Sequence, residues 1–118
     1  MHLSTLYLNK EIIVQQKLLE RLKEINMEKE FDIAFKDFDL GSNWIKTDGK
    51  IYYGETNTFQ HYYEFHNKDK DITITIMLNK DIMKIYLDKE NDHQELLETK
   101  DFQQVKDFIT NNIKIKNG

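Results

Sequence analysis

The sequence predicts an α+β fold: an antiparallel β-sheet of about five strands, a β-meander at its core, flanked by an N-terminal and a C-terminal α-helix. Apolar residues recur at helical spacing near both ends of the chain, and they alternate with polar residues through its middle. The 118 residues suit a single domain spanning 1–118, because two halves would each be too small for a core. The helices of such a fold can cover one face of the sheet and leave the other to water or to a partner.

Residues 9–26 are predicted to form the first helix. Asn9 is a suitable N-cap, and Glu11 then falls in the first turn, where the helix dipole favours an acidic residue. Apolar residues at three- and four-residue spacing form a stripe that we expect to be buried. Its members are Leu8, Ile12, Leu18, Leu19, Leu22 and Ile25.

Residues 28–40 fit two structures. Phe31, Ile33 and Phe35 alternate as in a strand. Phe31 and Phe35 also continue to Phe38 as a helical stripe. Aromatic and β-branched residues favour strands, so a strand is the prediction and a helix is the alternative.

The middle of the chain is predicted to be β-structure. Asp48 and Gly49 form a dipeptide typical of the type I′ turn of a β-hairpin. Three further strands are expected at 59–66, 71–78 and 81–88, joined by a loop at 67–70 and a turn at 79–80.

These loop lengths predict how the three strands pair. The expected neighbours across the first loop are Phe65 and Ile72, Tyr63 and Ile74, and His61 and Ile76. Across the second turn they are Ile76 and Met83, Ile74 and Ile85, and Ile72 and Leu87. Both pairings place Ile72, Ile74, Ile76 and Leu78 on one buried face, which we call the inner face.

The end of the chain is predicted to add a short strand and a helix. Leu96 and Leu97 fit the strand, and Asp101 fits the N-cap of the helix, with Gln104 positioned for a capping box. The apolar stripe of this helix comprises Phe102, Val105, Phe108, Ile109 and Ile113.

The opposite, outer face of the sheet is the first candidate binding surface. It is expected to carry Tyr62, Glu64, Thr73, Thr75, Met77, Ile82, Lys84 and Tyr86, with Met77 directly opposite Ile82. Tyrosine and methionine are enriched at the centres of protein interfaces. Tyr62, Met77, Ile82 and Tyr86 are therefore candidate partner-binding residues, unless the segment 28–40 covers this face.

Acidic residues are concentrated in two segments. Residues 28–40 hold five acidic residues against two lysines, and residues 88–101 hold six against two, so the rest of the chain is about +3. Concentrated negative charge can steer a basic partner, although it can also serve solubility alone. Asp88, Glu90, Asp92 and Glu95 are the acidic candidates for partner binding.

The segment from His61 to His66 is the most catalysis-like part of the sequence. Side chains alternate between the faces of a strand, so Glu64 and His66 share the outer face while His61 points inward. The three cannot converge on one ion, and we therefore expect no metal site and no catalytic residue here. A small enzyme or ligand-binding domain that uses this region is the alternative.

Residue usage argues against several other classes of function. The net charge is −4, and Arg21 is the only arginine among 17 cations, so direct nucleic-acid binding is not expected. The absence of cysteine excludes disulfides and the usual structural zinc sites. Phosphate-binding and dinucleotide-binding motifs are also missing, so no cofactor is expected.

We found no secretory leader and no apolar run long enough for a membrane span, and the expected location is the cytoplasm.

A non-enzymatic protein-binding module is the function that fits these features best. Stoichiometric inhibitors such as immunity proteins, antitoxins and phage counter-defence proteins share the profile of a small, acidic, cysteine-free chain. They act by occluding a site on another protein, which here is expected to present a basic surface. The likeness to these inhibitors is an analogy of type and not homology. A structural subunit that pairs through an edge strand is a third possible function.

Overall fold

A computed structural model describes residues 2–55 and 58–114, with the side chains of residues 9–55 and 58–113. The elements are α1 (His2–Phe35), β1 (Trp44–Tyr53), β2 (Thr58–Asn67), β3 (Ile72–Asn79), β4 (Ile82–Lys89), β5 (Asp92–Thr99) and α2 (Phe102–Ile109), the last followed by a turn of π-helix (Thr110–Lys114). The strands form one antiparallel sheet in the order β1-β2-β3-β4-β5. The predicted α+β fold class is therefore confirmed.

The prediction of a strand within residues 28–40 is wrong, because α1 continues to Phe35. Phe31 and Phe35 lie four residues apart and are both fully buried, with ring centroids 5.1 Å apart. The same helical geometry turns Ile33 away from them, and its side chain is 79% exposed. Burial of two phenylalanines against the sheet thus outweighs the β-propensity of the segment.

The predicted start of the first helix is also wrong. Asn9 and Glu11 lie well inside α1, so neither occupies the N-cap or the first turn. The helix has 34 residues and is about 51 Å long, whereas the axes of five neighbouring strands span only about 19 Å across a sheet. Much of α1 therefore projects beyond the sheet, and the molecule measures 69 × 27 × 19 Å.

The apolar stripe of α1 is exposed rather than buried. The exposed fractions of Ile12, Leu18, Leu19 and Leu22 lie between 49% and 59%, and Ile25 is half-buried. The side chain of Leu8 lies outside the described residues. This prediction fails because only the C-terminal turns of α1 reach the sheet, where Phe31 and Phe35 enter the core.

A lysine from β1 holds the C-terminal end of α1 in place. The Lys46 ammonium donates hydrogen bonds to the carbonyl oxygens of Phe35, Lys36 (2.7 Å) and Phe38 (2.9 Å). These carbonyls lie at or just beyond the end of α1, where no further helical amides follow to bond them, although the Phe38 amide also reaches the Phe35 carbonyl at 3.2 Å. Burial lowers the pKa of Lys46, although three nearby carboxylates oppose that shift. Lys46 thereby fixes the point at which the chain leaves α1 and enters the sheet.

The second helix matches its prediction more closely. Asp101 is the N-cap, and its carboxylate accepts a hydrogen bond from the Gln103 amide at 3.0 Å. Val105, Ile109 and Ile113 are buried against the inner face, with Phe102 and Phe108 packed at the margin. The predicted capping box, in which the Gln104 side chain would accept the Asp101 amide, is wrong. The Gln104 side chain instead accepts a hydrogen bond from the Thr99 hydroxyl. Thr99 in turn accepts the Asp101 amide at 3.1 Å, so the threonine takes over the expected role of the glutamine.

The predicted hairpin turn at Asp48-Gly49 is also wrong. Both residues lie within β1, where Asp48 pairs with Tyr63 and Gly49 pairs with Tyr62. A Cβ on Gly49 would lie 2.6 Å from the Tyr62 hydroxyl oxygen. Glycine serves here to let an aromatic ring approach the backbone, which is a role that glycine also has inside strands.

The strand pairings are displaced from the predicted ones by two residues. Across β2 and β3 the observed pairs are Phe65 with Ile74, Tyr63 with Ile76, and His61 with Leu78. Asn67 remains in β2, where its side-chain oxygen accepts the amides of Asp69 and Lys70 at 3.0 Å each. This hydrogen bonding moves the loop to residues 68–71.

The turn between β3 and β4 likewise moves to Lys80 and Asp81, with Lys80 at a φ of 60°. The observed pairs are Leu78 with Met83, Ile76 with Ile85, and Ile74 with Leu87. Met77 therefore lies opposite Lys84, and the predicted Met77–Ile82 opposition is wrong. A displacement of two residues preserves the faces, so Ile72, Ile74, Ile76 and Leu78 are buried as expected.

Candidate protein-binding surface

The outer face of the sheet lies on the side away from both helices. The residues that α1 and α2 bury are packed with inner-face residues such as Phe65, Ile74 and Ile85. The segment 28–40 lies on that same inner side, so it does not cover the outer face. The predicted outer-face residues Tyr62, Met77, Ile82 and Tyr86 alternate with the buried ones and are half-buried by their neighbours on the sheet.

Three of these residues meet in a hollow of about 260 Å³. Met77, Ile82 and Tyr86 supply its apolar lining. The remaining lining residues are Gln60, Asn79, Lys84 and Glu98. An apolar floor with a polar rim suits the insertion of one side chain from a partner, since binding energy concentrates where water is excluded.

Ion pairs hold the rim of the hollow in shape. The Lys84 ammonium lies 3.1 Å from a carboxylate oxygen of Glu95 and 3.6 Å from one of Glu98. Its hydrogen bond to Glu95 raises the pKa of Lys84. Glu95, a candidate acidic residue, therefore forms an ion pair between β5 and β4, and it is also exposed at the surface.

The other acidic candidates lie at the end of the β4–β5 hairpin. Glu90 is in the turn, with a φ of 52°, and Asp92 opens β5. Asp88 contacts the imidazole of His93, and that ring stacks on Tyr86 with centroids 5.0 Å apart. The acidic end of the hairpin is thus continuous with the apolar hollow.

Three of the five acidic residues at 28–40 are engaged by neighbours on the helix side of the molecule. Glu28 lies 3.7 Å from the Lys50 ammonium. Asp32 accepts a hydrogen bond from the Tyr63 hydroxyl, and Asp39 accepts one from the Gly41 amide at 2.9 Å. The acidic segment at 88–101 adjoins the outer face, whereas 28–40 does not, and it is therefore the segment we retain as a candidate for steering a partner.

Sequence reasoning missed three outer-face residues of β1. Ile45, Ile51 and Tyr53 pair with outer-face positions of β2 and are exposed. The false turn at Asp48-Gly49 hid them, because it split β1 in two. The alternation from Ile45 to Tyr53 is the signal that would have revealed one continuous strand.

The histidines fall on the two faces as predicted. Glu64 and His66 lie on the outer face, where the His66 ring is 3.0 Å from the Thr73 hydroxyl. His61 is buried on the inner face, with Nε2 3.2 Å from an Asp32 oxygen. Among residues 2–55 and 58–114, no three His, Asp or Glu side chains are grouped so that they could hold a metal ion.

Asp32 joins α1 to the sheet through two inner-face residues. The same carboxylate oxygen that approaches His61 accepts the Tyr63 hydroxyl at 2.8 Å. Burial, and then the hydrogen bond to Asp32, raises the pKa of Tyr63. The cluster anchors the C-terminal part of α1 to β2.

This raised pKa predicts how stability depends on alkaline pH. A raised folded-state pKa means that the Tyr63 contribution is complete below the pKa of an unfolded tyrosine, about 10. It is lost as pH rises from there through the folded-state pKa. The free energy of unfolding, measured by denaturant titration, should fall more steeply above about pH 10 in the wild type than in Tyr63→Phe. Tyr53→Phe, on the outer face, should keep the wild-type profile, and a parallel fall in all three proteins would contradict the prediction.

Comparisons with protein-family models, with curated proteins and with solved structures gave no match for this chain. Within the described residues, neither helix combines the length and the apolar character that crossing a membrane requires.

Proposed function

We propose that the protein is a non-enzymatic binding module that occludes a basic surface of another protein and thereby inhibits it. The outer face of the sheet and the acidic end of the β4–β5 hairpin would form its docking surface. One observation carries this proposal: the stacked Tyr86 and His93, with Asp88 beside them, make the apolar hollow and the acidic hairpin one continuous surface.

The two parts of this surface have different physical roles. The hollow lined by Met77, Ile82 and Tyr86 supplies affinity, because a partner side chain entering it displaces water from apolar atoms. The carboxylates of Glu90 and Asp92 raise the rate of encounter with a basic partner. Hydrogen-bonded neighbours on both sides hold β2, β3 and β4 in place, so little conformational freedom is lost on docking.

Inhibitors of the immunity-protein, antitoxin and phage counter-defence type offer the nearest analogy of mechanism. A basic nucleic-acid-binding cleft is the kind of site that such an acidic surface would block. The alternative of an enzyme or ligand-binding domain at His61–His66 receives less support, because His61 is buried on the face opposite Glu64 and His66. Side chains so divided do not converge on one substrate.

Reversing the charge at the hairpin should slow partner association. The partner is first captured from the source cell with the tagged chain and then purified, and association is followed by stopped-flow fluorescence. Glu90→Lys with Asp92→Lys should lower the on-rate roughly tenfold at low salt. This difference should shrink at physiological ionic strength, where the Debye length is about 8 Å.

The matched control places the same two reversals on the exposed part of α1, as Glu11→Lys with Glu20→Lys. These should leave the on-rate close to that of the wild type. An on-rate that responds neither to salt nor to the hairpin reversals would show that the acidic segment serves solubility alone.

A further inference from the structure

The sheet ends in two edge strands, β1 and β5, and the edge of β1 is open. An edge strand has a row of backbone amide and carbonyl groups that its own sheet does not pair. In the part of the chain that the structure describes, the backbone of residues 45–51 bonds to β2 and to no other segment. The pairing of β1 with β2 runs from Trp44 to Tyr53 without a bulge, so this edge is long and regular.

The edge of β5 is protected in two ways that do not apply to β1. A bulge interrupts its pairing with β4 between Ile85 and Tyr86, and a further strand would meet the same irregularity. The charged side chains of β5 are all acidic, so a second copy of this edge would meet like charges. These side chains are Asp92, Glu95 and Glu98. β1 is therefore the edge that can accept another strand.

We infer that a second copy of this chain pairs with β1 edge to edge and antiparallel, which joins the two five-stranded sheets into one. A two-fold axis perpendicular to the sheet relates the copies and keeps both inner faces on one side. Residues directly opposite each other then lie on the same face. The axis passes through a single residue of β1, and that residue is Gly49.

The charges of β1 select this register. With the axis at Gly49, Asp48 of each copy lies opposite Lys50 of the other, which gives two pairs of opposite charge. An axis at Asp48 would set Asp48 against its own copy, and an axis at Lys50 would do the same to Lys50. An axis at Thr47 pairs Lys46 with Asp48 but engages a shorter part of the strand.

Both charged groups can take part in these pairs. Asp48 is exposed, and the Lys46 ammonium on the same strand is directed to the carbonyls at the end of α1. The Lys50 side chain is half exposed, and its ammonium lies 3.7 Å from Glu28. An ammonium group has three donors, so Lys50 can contact a second carboxylate across the axis.

Tyr62 covers the centre of this interface. Its ring lies over Gly49, with the hydroxyl oxygen 2.6 Å from the position of a Cβ. An aromatic ring over a glycine of an edge strand helps to fix the register of that strand. Opposite Cβ positions of antiparallel strands are about 5 Å apart, so the Tyr62 side chains of the two copies lie next to each other over the axis. The further outer-face pairs are Ile45 with Tyr53 and Thr47 with Ile51.

The helices of the two copies do not collide in this arrangement. α1 packs over β2, where Asp32 reaches His61 and Tyr63. The two β2 strands are three strand spacings apart, about 14 Å, whereas the axes of packed helices lie about 8–10 Å apart. The hollow lined by Met77, Ile82 and Tyr86 stays uncovered, so the inference does not depend on the proposed function.

Sedimentation equilibrium of the full chain tests the pairing. The wild type should have twice the 14.3 kDa mass of one chain. Asp48→Lys and Lys50→Asp each create two like-charge pairs, so each alone should raise the dissociation constant roughly tenfold. An equimolar mixture of the two variants should associate about as tightly as the wild type, because both pairs are again of opposite charge.

Glu11→Lys, on the exposed part of α1, is the matched control for a reversed charge and should remain dimeric. Thermal melts followed by the fluorescence of the buried Trp44 should show an intact sheet in every variant. Three results would overturn the inference. They are a wild type that is monomeric at all concentrations, a mixture that associates no better than its components, and an assembly of more than two chains.

Engineered cysteines test the register, because the sequence contains no other thiol. Thr47 of one copy should lie opposite Ile51 of the other, at a Cα separation that a disulfide can span. Under oxidation, Thr47→Cys and Ile51→Cys should therefore cross-link when mixed. Neither should cross-link alone, because each position lies about 14 Å from its own copy. Self-linking of Thr47→Cys, or a mixture that does not link, would contradict the axis at Gly49.

Discussion

Replacing Phe31 with alanine is expected to destabilise the fold by about 3–5 kcal/mol. Phe31 is fully buried, and its ring lies 5.3 Å from Tyr63 and 5.5 Å from His61. Truncation would leave a cavity where α1 meets the sheet, and it would loosen the helical turn that presents Asp32 to β2. The free energy of unfolding from denaturant titration measures this loss.

Ile33→Ala is the matched control, two residues away on the same helix. The 79% exposed side chain of Ile33 contributes little to its own fold, so the expected loss is below about 0.5 kcal/mol. Equal losses at Phe31 and Ile33 would mean that the two share one face, as in a strand, and would contradict the helical structure.

Replacing Ile74 with alanine should cost about 2–5 kcal/mol of stability. Ile74 is fully buried on the inner face of β3, the central strand, between Phe65 and Leu87. Tyr86→Ala should cost no more than about 1 kcal/mol, because Tyr86 is half-buried on the outer face and loses mainly its stacking on His93.

Thermal melts of the two variants check the assignment of the faces. If Tyr86→Ala is less stable than Ile74→Ala, the inner and outer faces of the sheet are exchanged. Severe destabilisation by both substitutions would mean that another element covers the outer face, and the binding surface would then lie elsewhere.

The faces of the sheet could be predicted from the sequence even though the pairings could not. Phe65 pairs with Ile74 rather than with Ile72, because Asn67 stays in β2 and organises the loop with its side chain. An even displacement leaves every residue on its predicted face. For this reason Tyr62, Met77, Ile82 and Tyr86 were placed correctly on the outer face.

Features that depend on distant residues could not be predicted. Gly49 pairs with Tyr62, 13 positions later in the sequence, and the tyrosine side chain occupies the space that a Cβ at position 49 would need. The end of α1 at Phe35 depends on Lys46, whose ammonium satisfies the terminal carbonyls from β1. Asp101, by contrast, was predicted correctly, because the residue that it caps, Gln103, is its close neighbour in the sequence. The same local reasoning failed at Asn9, because α1 begins before it.

The apolar stripe of α1 shows a further limit of prediction from the sequence. The spacing of Ile12, Leu19 and Leu22 indicates a face that needs to be covered, but it does not say which chain covers it. The structure shows that the sheet of the same chain does not cover it. The same pattern would arise from packing within one chain or between two copies.

The affinity of the purified partner for Tyr86→Ala, compared with the wild type by isothermal titration calorimetry, tests the proposed docking surface most directly. If the outer face binds the partner, the substitution should weaken binding roughly 5- to 150-fold, corresponding to about 1–3 kcal/mol, while the melting temperature stays near that of the wild type. Unchanged affinity in a folded Tyr86→Ala protein would contradict the assignment of the outer face as the binding surface.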